Sequence, residues 1–119
     1  MATLFEILND MVGEDITQHL SQQQIQDVND KIEAELKQKI GSKDYRDLES
    51  YITNNKDDVY LKSLTMLTLR NVGGVSQAMR QANVDIDKIE VMLGYKILFR
   101  MYEILRLSSY DAEKALMEL

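Results

Sequence analysis

The chain has no cysteine, no proline and no tryptophan, and one histidine among its 119 residues. Without cysteine there is no disulfide framework, no thiolate zinc site, no iron–sulfur cluster and no thiol nucleophile. A lone His19 cannot build a multi-histidine metal site. Ser63 to Leu69, the uncharged run within the apolar middle, is far short of the ~18–20 apolar residues a membrane span needs. The opening Met1-Ala2-Thr3-Leu4-Phe5-Glu6 lacks a basic region followed by an apolar run, so a cytoplasmic address without a secretory signal is expected. Gly73-Gly74 leads into no Gly-Lys-Ser/Thr sequence, and there is no EF-hand loop or Ser-x-x-Lys dyad. No cofactor and no metal are expected.

What is present favours helix. Hydrophobic residues make up 45% of the chain, and a chain of this length buries roughly two-thirds of its unfolded surface, enough for one self-sufficient domain. The net charge of −6 is uneven: residues 1–59 carry 6 Lys/Arg against 13 Asp/Glu, and residues 60–119 carry 8 against 7. An acidic chain is poorly suited to non-specific nucleic-acid binding, which depends on neutralising phosphates.

The punctuation predicts five to seven helices in a single compact all-α domain spanning 1–119. Thr3 and Glu6 have capping-box spacing, opening a helix that stops at Gly13. Asp15 to Leu20 reads as a helical turn, with His19 near its end. Ser21 and Gln24 form a second capping box, opening a helix to Gly41 whose stripe is Ile25, Val28, Ile32, Leu36 and Ile40. Ser42 is expected to cap a third helix over 43–53, burying Tyr45, Leu48, Tyr51 and Ile52. Asp57 to Asn71 forms a fourth, with Val59, Tyr60, Leu61, Leu64, Met66, Leu67 and Leu69 pointing in nearly every direction. Such a helix is buried on most sides, as the centre of the fold or the seam of an oligomer. Gly73-Gly74 is expected to end it. A short helix over Val75 to Ala82 and a turn at Asn83-Val84 follow. Asp85 then caps a long segment to Leu107, weakest at Gly94, and Ser108 opens the last helix.

The chemistry-bearing residues fall in structural positions. The paired carboxylates, such as Asp44/Asp47 and Asp57/Asp58, sit at helix starts, where they oppose the helix dipole, or on outward faces. His19 suits helix-terminal carbonyls. No catalytic residue is assigned, and the chain is read as non-enzymatic. Met66, Met79, Met92 and Met101 suit core filling or a partner-binding groove.

The most specific local pattern runs from Asn71 to Leu93. Gly73, Val75, Ser76, Gln77, Ala78 and Val84 stand as in a Fis-type helix-turn-helix, with Asp85 as cap and Ile89 and Leu93 at buried positions of the second helix. This segment resembles that family. The resemblance implies a helix-turn-helix shape and, as an alternative function, DNA binding through Gln77, Arg80 and Lys88. Where that family exposes hydroxyl and basic groups to the major groove, this chain has Asp85-Ile86-Asp87-Lys88-Ile89-Glu90-Val91.

The leading expectation is therefore a protein that acts by contact with another protein: a small regulator, inhibitor or adaptor, of the kind phages and mobile elements encode. Asp27, Asp30, Glu33 and Glu35 are its candidate partner-binding residues. The alternative is a DNA-binding regulator or replication or packaging accessory; a third is a structural subunit of a homo-oligomer. The apolar surplus on 57–71 and 86–107 favours a homodimer or a partner-bound state.

Overall fold

Glu6 N–H donates to Thr3 Oγ1 (3.2 Å) while Thr3 N–H donates to Glu6 Oε1 (3.0 Å), and this closed box starts α1 (Leu4–Val12). The helix ends on Gly13 in the left-handed region. Ser21 and Gln24 make the same reciprocal pair ahead of α2 (Gln22–Ile40). Then follow α3 (Ser42–Asn54), α4 (Val59–Gln81), α5 (Ile86–Leu107) and α6 (Ala112–Met117). The computed structural model describes residues 2–13, 20–81 and 85–119, apart from the side chains of 73–81 and 86. Among the described residues there is no strand, and the six helices form one all-α domain. The helical turn expected over Asp15 to Leu20, with His19, and the turn at Asn83-Val84 lie outside the described residues but for Leu20.

Three boundaries differ from the sequence reading. α4 runs through Gly73-Gly74 to Gln81 instead of stopping there. Two glycines cost about 1 kcal/mol each against alanine, and the flanking Gln77-Ala78-Met79-Arg80-Gln81 is strongly helix-forming. The expected short helix is thus the last part of α4. Ser42 lies inside α3 and caps nothing: Gly41 serves both as the end of α2 and as the start of α3. Its φ of 91° and ψ of 157° are open to glycine and strained for other residues, which is how two helices meet with no linker. Ser108 closes α5, and Asp111 caps α6 through the Lys114 N–H.

α5 is unbroken at Gly94 and forms the middle of the core, burying Ile89, Leu93, Ile97, Leu98, Met101 and Leu105. It packs on α4 along one side and α2 along another, with α1 crossing α4 and α2. A Cβ at Gly94 would lie 2.5 Å from Ile32 Cδ1, so the missing side chain lets α2 and α5 close together. Asn29 of α2 reaches α1, where its Oδ1 accepts from the Phe5 N–H (3.1 Å), a first-turn donor with no partner in its own helix.

α4 is not enclosed all round. It buries Leu61, Leu64, Thr65 and Thr68 and leaves Val59, Tyr60, Met66 and Leu67 exposed. The threonines are accommodated because their hydroxyls donate to the carbonyls of Leu61 and Leu64, both at 2.8 Å. That back-bonding satisfies the polar atom and leaves a small methyl-bearing surface for neighbours.

Candidate functional site

α2 and α5 run in the same direction where they touch. Gly94 sits against Ile32, and further along the Lys39 ammonium stands 5.7 Å from the centre of the Phe99 ring. On the outward side of this contact the two helices diverge into a groove of about 630 Å³. Lys31, Ala34 and Glu35 form the α2 wall. Lys88, Val91, Met92, Tyr95 and Lys96 form the α5 wall. A shallower extension of about 340 Å³ continues past Tyr95 to Gln38 and Lys39.

Helical periodicity explains the groove. Residues 31, 34, 35, 38 and 39 follow the i, i+3, i+4, i+7, i+8 stripe of one helix, and 88, 91, 92, 95 and 96 follow it on the other. These stripes lie beside the buried ones, Ile32 and Leu36 on α2 and Ile89, Leu93 and Ile97 on α5. The floor is apolar, made by Ala34, Val91, Met92 and the Tyr95 ring, and lysines stand at its edges. Its volume falls within the roughly 300–1,000 Å³ of ligand-sized clefts. Among the described residues no three His, Cys, Asp or Glu are grouped to hold a metal ion.

The four acidic residues singled out from sequence do not share a face. Asp27 and Asp30 are on the outer surface of α2, where their carboxylates accept from the Gln23 and Gln26 side chains at 2.9 and 2.8 Å. Glu33 turns toward α3, paired with Lys37 at 3.4 Å and close enough to Tyr45 to raise its pKa. Glu35 points the other way and lines the groove. Of the residues tied to the helix-turn-helix resemblance, Lys88 is exposed on the groove's edge. The side chains of Gln77 and Arg80 lie outside the described residues.

Tyr45, Tyr51, Tyr102 and Tyr110 are structural. Tyr45 is buried, and that burial, with Glu49 and Glu33 adding to it, pushes its pKa far up; its hydroxyl donates to Glu49 Oε2 (3.2 Å). Tyr102 donates to Asp44 Oδ2, tying α5 to α3, and this bond raises its pKa. Tyr51 accepts from the Ala112 N–H (3.2 Å) and meets the Tyr110 ring edge-on at 5.4 Å, which holds α6 in place. Burial pushes Tyr110 up to about 12. Groups held so firmly protonated are unsuited to act as bases near neutral pH.

Two features escaped the sequence reading. Glu90, placed there on an exposed recognition helix, is only 2% exposed, facing Phe5, Leu8, Asn9 and Leu69 around a cavity of about 20 Å³. Its spacing from Leu93 and Ile97 (i+3, i+7) puts it on the apolar stripe, a signal that was legible. The repeated eight-residue spacing of Lys31/Lys39 and Lys88/Lys96 was also visible. That α2 and α5 are neighbours was not. Among the described residues no helix is long and apolar enough to cross a membrane. Comparison with protein-family models, with curated proteins and with solved structures found no match for the chain.

Proposed function

We propose that the protein works by binding another protein, as a small regulator, inhibitor or adaptor, and that the groove between α2 and α5 is its docking site. The observation that supports this is the groove itself: a trough between α2 and α5 whose floor is Ala34, Val91, Met92 and Tyr95 and whose edges carry lysines. The partner-binding role passes from the acidic outer face of α2 to this neighbouring stripe, which Glu35 alone of the four acids shares.

The experiment compares affinity capture by the wild-type chain, by Ala34→Arg and Met92→Glu, and by the outer-face double variant Asp27→Lys/Asp30→Lys, with and without nuclease. Ala34 is exposed and Met92 half-buried, so circular dichroism is expected to show unchanged helix content. A stoichiometric partner retained by the outer-face variant and lost by both groove variants supports the reading. Loss in the outer-face variant alone, or a partner released by nuclease, would overturn it in favour of the acidic face or of nucleic acid.

A second reading, self-association through α4, rests on the exposed Val59, Tyr60, Met66 and Leu67. Those residues share one side of the helix and are apolar.

A further inference from the structure

The charge around the groove is opposite in sign to that of the whole chain. A protein of net charge −6 gathers Lys31, Lys39, Lys88 and Lys96 about one apolar trough, with Glu35 the carboxylate among the described lining residues. All four lysines are exposed; Lys39 also stands over the Phe99 ring, and solvated like charges gathered on one rim add little to folding. Their spacing is informative: on each wall two lysines are eight residues apart, about 12 Å at 1.5 Å per residue. Positive charge therefore stands toward both ends of both walls.

A single-headed anion, such as a fatty acid, needs a cation at one end of an apolar trough and leaves the others unused. An extended partner bearing carboxylates along both of its edges uses all of them. The apolar floor, Ala34 of α2 with Val91, Met92 and Tyr95 of α5, runs along α5 at the i, i+1, i+4 spacing against which an incoming helix can lay its own apolar stripe. We infer that the natural occupant of the groove is an amphipathic helix of another protein, with an apolar stripe flanked by Asp or Glu. This rests on the groove being the docking site and adds the chemistry of what docks. Tyr95 and Met92 receive the stripe; the ring gives a rigid contact and the thioether an adaptable one. The lysines set the sign of the partner and speed its encounter more than they hold it.

The test uses the full chain and three synthetic peptides of about four helical turns. One has a leucine stripe flanked by glutamates, one the same stripe flanked by lysines, and one the glutamates with the leucines scattered out of register. Fluorescence anisotropy at low salt should show the first binding about tenfold tighter than the second, because several exposed pairs of small individual worth change sign together. The scattered peptide should bind no better than the second. Much of the advantage should disappear near 1 M salt, where the Debye length is about 3 Å. Lys31→Glu/Lys88→Glu, at exposed positions that leave the core intact, should reverse the preference.

Equal binding of the first two peptides, or a preference unaltered in the double variant, would overturn the acidic occupant. If Ala34→Arg and Met92→Glu still abolished capture of the cellular partner in that case, the docking reading would stand without it. Retention of a duplex DNA oligonucleotide or of phosphatidylglycerol vesicles, lost in the double variant and without binding of the glutamate peptide, would replace the helix with a different polyanion.

Discussion

Gly94 and Ile32 are a pair in which two ordinary effects oppose each other. Replacing Gly94 with alanine in the middle of α5 gains about 1 kcal/mol of helix propensity. The added methyl group, however, would sit 2.5 Å from Ile32 Cδ1, and Ile32 is itself only 2% exposed. Overpacking of a closed core costs about 1–3 kcal/mol, so Gly94→Ala should be net destabilising by about 1 kcal/mol. Ile32→Val removes the clashing atom at its own cost of about 0.5–1.5 kcal/mol. In urea unfolding the double variant should be more stable than the two single changes added together, by about 1 kcal/mol. Strict additivity would mean that α2 and α5 do not meet here. This pairing was hidden in the sequence, where Gly94 stood out only as a weak point, since the reason for it lies 62 positions away. The Thr3/Glu6 and Ser21/Gln24 boxes were legible because both partners lie within one turn. Ser42 misled for a related reason: it is a good cap by type, but Gly41 had already turned the chain.

The continuity of α4 is the main departure at the level of elements. Glycine pairs commonly mark helix ends, because the residue after the last turn takes a left-handed conformation that glycine allows. Here the pair lies inside a 23-residue helix, a conformation that alanine adopts more readily than glycine. Gly73→Ala/Gly74→Ala should therefore stabilise the protein, by about 1–2 kcal/mol in chemical denaturation. Destabilisation by a similar amount would mean that the helix ends at the pair, as the sequence alone suggested. α4 also shows why an all-round apolar pattern is ambiguous. Thr65 and Thr68 are inside, where periodicity alone would put Met66 or Leu67, because a hydroxyl bonded back to its own helix can be buried cheaply. Which side of such a helix faces the core is decided by its neighbours.

For the whole molecule, Tyr51, Tyr102 and Tyr110 join α3, α5 and α6, Tyr45 faces α2 from α3, and all four resist ionisation. Tyr45, Tyr51 and Tyr110 are raised chiefly by burial, and Tyr102 by its bond to Asp44. A folded pKa above the unfolded value near 10 means that the native state keeps a proton the unfolded chain releases. The corresponding stability is complete below pH 10 and is lost as pH climbs through the folded values, about 12 for Tyr110. In an alkaline titration, part of the tyrosinate absorbance should thus appear only with the loss of helical circular dichroism. Full ionisation near pH 10 with the helices intact would contradict the packing of α3, α5 and α6.

The site was less legible than the fold for a physical reason. Helices are written in local spacing, and six of them were readable to within a few residues except at Gly73-Gly74. The groove exists only because one stripe of α2 lies beside one stripe of α5, and no local pattern encodes that adjacency. The measurement that bears most directly on it is site-specific photocross-linking in source cells, with the probe placed in turn at Ala34, Asp30 and Met66. An adduct with one discrete protein from position 34 and none from the other two is expected. Adducts from position 30 alone would return the interface to the acidic face of α2. A product of twice the chain mass from position 66, with position 34 silent, would make α4 the interface and self-association the function.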